Sequence, residues 1–479
     1  MRVTKLKRLG ASLGTIAVSG GLAAAPACVS RELPPTGQLV VYVDTDAPVP
    51  PGLGRVASRS EPAPLFDSLR VEVFAPGENV PCAGCLREFP VDADRFGRQA
   101  VSIGVPAKVG VAGYRLRATL FFSDWILSCT NFPPAIRNAT PACAGGDPAA
   151  REIHPLSTLS RTVALPAVAL DTIDEVSLFL ATETVGVPAG SLAAPLPVDV
   201  GKPASSQVGT WEGAKRRECA TAARPGEACV PAGAFWSGNA RGIAQSQYTV
   251  TPHIVVLSPY FLKTTEVTVG ECRADPTCDA YAADIFNRPA VVYCDYTKNP
   301  GAREKNALNC ITPTGGEGFC AAWGGTLPTQ AQIEYAGRGL IGTQYPWGYD
   351  EATCADAVWG RNDAYVGFTK GPCYDGKLRP SEPGMGLRDR LALDTGTIVD
   401  LGGNLQETTR DQMGAGCACE QPSGVLRDPV CHGPSNANYG LLGGAWGYGA
   451  ESLAVNPGGC VPPSFIGTVI GFRCARPGE

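Results

Sequence analysis

The sequence predicts an α+β protein in two parts, an N-terminal antiparallel β-sandwich followed by a loop-rich mixed α/β domain. Three observations carry this. Between residues 37 and 183, short apolar runs alternate with polar residues at a period of two, the pattern of half-buried strands. Glycine and proline are abundant, 58 and 42 of 479 residues, without a long helical period beside them. Nineteen cysteines can then cross-link connections too irregular to hold themselves.

Residues 1–28 read as an export signal. Arg2, Lys5, Lys7 and Arg8 form a basic start, Leu9 to Ala25 is apolar and small, and Ala25-Pro26-Ala27-Cys28 follows. A cysteine at that point marks Cys28 as the lipidation site of a bacterial lipoprotein. Pro26 and a missing leucine depart from the usual lipobox, and an ordinary secretory signal is the plainer alternative. If lipid consumes Cys28, eighteen of the nineteen cysteines remain, enough for nine bridges. No later run is long and apolar enough to span a bilayer. The residues after Cys28, Val29 and Ser30, carry no acidic retention signal, so an outer-membrane or periplasm-facing location is expected. A net charge of −5 gives no electrostatic footprint for nucleic acid.

In the sandwich, residues 37–183, Leu69, Val71 and Val73 share one strand face while Arg70 and Glu72 share the other. Residues 114–120 and 175–180 repeat the pattern, and 38–43, 101–105 and 162–165 add short β-branched runs. Its expected role is spacing or presentation. Residues 184–216 turn Pro-, Gly- and Ala-rich and read as a semi-extended linker. The second domain, residues 226–477, opens with the strand-like run Cys229 to Trp236. Thr329 and Gln332 form a capping box for one helix, with Gly339 at its left-handed C-terminal position and Ile333 and Ala336 facing the core.

The second domain also carries six short motifs in a fixed order. They are Glu266-Val267-Thr268, Cys320 to Thr329 (CAAWGGTLPT), Tyr345-Pro346-Trp347-Gly348, Asp400 to Asn404 (DLGGN), Gly443-Gly444-Ala445-Trp446 and Gly471-Phe472-Arg473-Cys474. The series resembles the formylglycine-generating enzyme, or sulfatase-modifying factor, family. The resemblance implies a variant of the C-type-lectin fold and a bridge between Cys320 and Cys474. It also implies calcium at Asp400, Gly403, Leu405 and Glu407, hard oxygen donors in a tight glycine loop. Gln406 stands where the family has tryptophan. A plain glycine turn with two solvated acids is the alternative. A second family calcium site would fall near Asp356 and Asp375, without a motif to fix it.

The family's chemistry rests on copper held by two cysteines, separated by four residues, just after the Gly-Gly strand. Soft thiolates suit Cu(I). Here Gly447 to Leu453 contains no cysteine, and the next, Cys460, stands alone, so copper is not expected. The iron-dependent branch uses several histidines, and this chain has only His154, His253 and His432. The pairs Cys129/Cys143, Cys219/Cys229, Cys272/Cys278, Cys294/Cys310 and Cys354/Cys373 are close enough to be local staples. The partners of Cys417, Cys419, Cys431 and Cys460 are not readable; Cys417, Cys419, Cys431 and His432 have the ligand count for zinc, with disulfides the plainer reading in an oxidising compartment. Cys82-Ala83-Gly84-Cys85 could be redox-active or half a zinc site, with a turn disulfide the plainer reading.

Three functions remain open. The first is an envelope protein whose second domain binds a peptide, glycan or protein, with Trp359, Tyr365, Trp446 and Tyr448 marking where a surface would lie, although core packing explains Trp446 equally well. The second is a divergent oxidoreductase of the family acting on a cysteine-containing protein, which needs a reducible cysteine pair or a free Cys460 near the Trp446 strand. The third is a cross-linked structural module without a ligand.

Overall fold

The computed structural model describes residues 38–479 except 53–54, 98–99, 106, 132–136, 139–142, 144, 146–149, 239–250, 284–292, 364–368, 418, 420, 435–436 and 456. Cys28 and Tyr365 lie outside the described residues. The first part is a sandwich of two four-stranded sheets. One has the order Asp199–Val200, Ile173–Leu180, Gln38–Thr45, Val101–Val105; the other runs Leu86–Pro90, Ser68–Phe74, Arg115–Phe121, Thr158–Ala164. Pairing is antiparallel throughout except that Gln38–Thr45 runs parallel to Ile173–Leu180.

The alternation seen in sequence maps onto the two faces. Leu39, Val41 and Val43 meet Leu69, Val71, Val73, Leu116, Ala118 and Leu120 in one buried core. On the outer face the charges pair across strands, Arg70 with Glu88 and Glu152, and Arg117 with Glu72. Residues 184–216 lie along this sandwich: Asp199–Val200 pairs with Val176 and Ser177, and Ala189 and Leu196 bridge to Arg161 and Val163. Trp211 is buried in the sandwich core.

The second part is mixed α+β, with short strands and few helices. Glu227–Val230, Tyr260–Lys263 and Ala475–Pro477 form one sheet, and Gly233–Ser237, His253–Leu257 and Val425–Arg427 a second. A third sheet orders Pro457–Val461, Asn438–Leu442, Gln406–Met413 and Ile470–Gly471. Helix Gln330–Gly337 starts at a reciprocal capping box between Thr329 and Gln332. It ends at Gly339, whose φ of +64° is the left-handed conformation that glycine adopts without a Cβ clash. Ile333 and Ala336 are fully buried.

The two parts share a core. Strand Gly233–Ser237 turns Phe235 inward, 5.2 Å from the Tyr335 ring, and Trp236 outward into the sandwich. Trp236 lies edge-on to Phe66 and Trp125, at 5.7 and 6.1 Å, and donates its indole N–H to the Leu65 carbonyl. Arg216 ties the two sides by donating to the carbonyls of Glu61 and Leu340.

Candidate functional site

Segment Val358–Arg361 is the seam along which the predicted site residues come together. The Asn404 N–H donates to the Val358 carbonyl, and the Trp446 N–H donates to the Asn404 carbonyl. The N–H groups of Gly360 and Arg361 donate to the carbonyls of Tyr448 and Trp446, at 2.8 and 2.9 Å. The Asp400 loop, the Gly443–Trp446 loop and the wall bearing Trp359 are therefore neighbours.

In the loop, Asp400 and Asn404 both take positive φ, +54° and +62°, a conformation that short polar side chains tolerate. Around it sit four carboxylates, Glu266, Asp389, Asp400 and Glu407, none more than 1% exposed, and one guanidinium, Arg473, fully buried. Glu266 accepts from the Asn404 amide and the Leu405 N–H, and Asp389 accepts from the Gly402 and Gly403 N–H groups. Asp400 Oδ2 accepts from the Gly384 N–H, and Glu407 Oε1 from Arg473 Nε. Arg473 also donates to the carbonyls of Val399 and Asp400. Two carboxylate oxygens remain buried without a hydrogen bond, Asp400 Oδ1 and Glu407 Oε2. Burial, then the neighbouring Asp389, pushes Asp400 up to about 7. Burial likewise raises Glu266, Asp389 and Glu407. The orphaned oxygens belong to the first and last of the four residues singled out for calcium, and an oxygen-seeking cation fits such donors. Gln406, in place of tryptophan, donates to the Gly443 carbonyl and ties the loop to the next strand. Among the described residues, no group of three or more His, Cys, Asp or Glu could hold a metal.

Strand Asn438–Leu442 ends before the Gly443–Trp446 motif, which is a loop rather than the expected strand. After it stand a glycine-rich turn and the 3-10 turn Ala450–Leu453, where the family has its thiols. Cys460 is bonded to Cys417, and Cys419 to Cys431, which takes the zinc ligand set out of play. All eighteen cysteines from Cys82 onward are bridged, Cys320 to Cys474 and Cys82 to Cys85 among them. His432 is exposed, while His154 and His253 meet near the boundary of the two parts. Trp446 is no surface residue: it is fully buried and its indole N–H donates to the Thr468 carbonyl. Of the two readings the sequence left open for Trp446, surface or core, the structure gives core.

The feature that sequence reasoning missed is a cavity of about 530 Å³ beside the seam. Trp359, Arg361, Tyr374, the Cys354–Cys373 bridge, Met385 and Leu387 line it. Trp359 is 8% exposed and points its indole N–H at the Thr353 carbonyl. Arg361 is locked to Asp375, Ser381 and the Arg379 carbonyl.

Among solved structures, the chain is similar to PvdO from Pseudomonas aeruginosa, at 20% identity over 53% of this chain and 100% of that one, TM-score 0.36. It is also similar to Treponema denticola variable protein 1, at 17% identity over 52% and 94% of the two chains, TM-score 0.37. CarF matches at 15% identity over 52% and 97%, TM-score 0.33. At these scores the three likenesses say nothing about chemistry. No curated protein matches the chain significantly. The family described as sulfatase-modifying factor enzyme 1-like domain matches residues 214–477, more than half of the chain. With that match, the six ordered motifs and the Cys320–Cys474 bridge, the chain belongs to the sulfatase-modifying factor enzyme 1-like family.

Proposed function

We propose that the chain is an exported, lipid-anchored envelope protein whose sulfatase-modifying-factor domain is a binding module for a peptide, glycan or protein partner. Nine disulfides suit an oxidising, extracytoplasmic compartment, and no described helix is long and apolar enough to cross a membrane. Attachment at Cys28, to the outer membrane, completes the localisation. The observation that carries the binding role is the pairing of Cys460 with Cys417. It leaves the Gly443–Trp446 loop without a thiol, while a cavity of ligand size stands beside that loop. Copper chemistry therefore has no ligand pair here, and the space next to it can hold a ligand.

Calcium is the ion proposed for Asp400, Gly403, Leu405 and Glu407. Asp400 Oδ1 and Glu407 Oε2 would turn to it, with backbone carbonyls of Gly403 and Leu405. Its charge would offset the carboxylate excess around Arg473 and hold the loop against the seam.

The test is binding of the exported chain to arrayed unstructured peptides and glycans, beside the cavity-filling variant Ala355→Trp. Binding that this variant abolishes supports the reading; binding it leaves intact places the ligand elsewhere. A divergent oxidoreductase is the second reading, and one observation favours it. The Cys354–Cys373 pair lies next to the Trp446 loop through Gly360, which accepts from the Cys373 N–H and donates to the Tyr448 carbonyl.

A further inference from the structure

We propose that Cys354–Cys373 is a thiol–disulfide exchange site, presented by the cavity to a cysteine in an apolar peptide segment. The inference holds whether or not the cavity also binds a ligand without covalent chemistry.

Access is the first argument. Thiolate attack on a disulfide needs an open sulfur. Among the described residues Cys354 is the one exposed cysteine, and its partner Cys373 is half-buried. Most other bridges have at least one buried half: Cys320–Cys474, Cys272–Cys278, Cys294–Cys310 and Cys129–Cys143 are buried at both ends. Cys417–Cys460 is half-buried at both.

Surroundings are the second. Both cysteines belong to the lining of the 530 Å³ cavity. At its mouth Met385 and Leu387 are 59% and 68% exposed, large apolar side chains that water alone does not favour. Val358, Trp359 and Pro372 continue the apolar wall. An electrophilic sulfur beside this apolar side of the cavity favours a thiol carried on an apolar segment over a small charged thiol.

The third is that opening the bridge need not dismantle the wall. The Cys373 N–H donates to the Gly360 carbonyl at 2.9 Å, and the Gly371 N–H to the Arg361 carbonyl at 3.2 Å. Arg361 holds Asp375 at 2.8 Å from the far side. The Gly371–Asp375 segment that carries Cys373 stays pinned when the sulfurs part, so exchange is reversible.

The chemistry balances without a cofactor. The incoming thiolate attacks Cys354 Sγ and forms a mixed disulfide. The Cys354–Cys373 bond breaks, and Cys373 Sγ leaves as a thiolate that takes a proton from water. A second thiolate then attacks the partner's sulfur in the mixed disulfide and releases Cys354. Two electrons pass from the two thiols to the bridge, and the partner leaves as its own disulfide.

The experiment treats the native exported chain with reduced glutathione or with an N-acetylated, amidated Leu-Cys-Leu tripeptide, traps thiols by alkylation over time, and maps them by mass spectrometry. The expected result is that Cys354 and Cys373 open at least about tenfold ahead of any other pair. That rate should not rise with low urea, and the tripeptide should outpace glutathione. Leu387→Ser, at an exposed position, should narrow the tripeptide's lead over glutathione without adding charge beside the bridge. First opening of another pair, or opening only where urea unfolds the chain, overturns the site. Equal rates for the two thiols overturn the apolar peptide as its partner.

Discussion

Trp236 donates its indole N–H to the carbonyl of Leu65, a residue 171 positions earlier in the chain. The strand that carries Trp236 belongs to the sulfatase-modifying-factor domain, and Leu65 belongs to the sandwich. One side chain thus joins two cores, and the parts should unfold together. Trp236→Ala is expected to cost about 3–5 kcal/mol, the usual loss for a buried aromatic. Calorimetry should show one cooperative transition in the native chain and two in the variant.

The Cys320–Cys474 bridge closes a span of 154 residues and fixes helix Pro313–Ala322 to the last strand. Replacing both cysteines with alanine should cost about 2–5 kcal/mol, because the unfolded chain regains the entropy of that long loop. Denaturant titration under non-reducing conditions measures it. A loss no larger than that from removing Cys82–Cys85, a span of three residues, would contradict this assignment.

Burial, and then the nearby His253, lowers His154 from the usual 6.5 to about 4. The folded state therefore leaves His154 neutral where the unfolded chain would protonate it. Stability contributed by the neutral ring is present above pH 6.5 and is lost as pH falls through 6.5 towards 4. It is flat below that. Buried carboxylates such as Glu334, whose burial raises its pKa, act in the opposite direction. The difference between the native chain and His154→Gln isolates the histidine. Its urea midpoint difference should shrink between pH 7 and pH 4.5.

Chelation tests the calcium loop. EGTA should lower the thermal midpoint of the native chain by several degrees, calcium should restore it and magnesium should not, since Mg²⁺ gives up its waters reluctantly. The double variant Asp400→Asn/Glu407→Gln, which keeps the shape of both side chains, should melt at the same temperature with and without EGTA. An EGTA effect that survives in the variant would place the ion elsewhere.

Much of the fold was legible because it rests on local periodicity. Leu69, Val71 and Val73 alternate with Arg70 and Glu72, and the sandwich faces follow. Thr329 and Gln332 announced a helix start because capping is a contact between near neighbours. What could not be read depends on distant partners. Alternation in Gly233–Ser237 says that Phe235 and Trp236 face opposite ways, but not that the sandwich covers Trp236. Residues 184–216 have a linker's composition, yet Trp211 is buried against strands far back in the chain. Cys417 could have paired with any of three cysteines. The Cys354–Cys373 cavity arises where Pro372 to Leu387 folds back on Trp359, which no motif encodes.

The proposal that copper has no ligand pair beside Trp446 is open to direct test. The most direct measurement is an anaerobic Cu(I) titration of the native chain, followed in air by an assay for aldehyde formed from a cysteine-containing peptide. The account predicts no stoichiometric Cu(I) binding and no aldehyde above the protein-free rate. One equivalent of tightly bound Cu(I) with turnover of the peptide would contradict it.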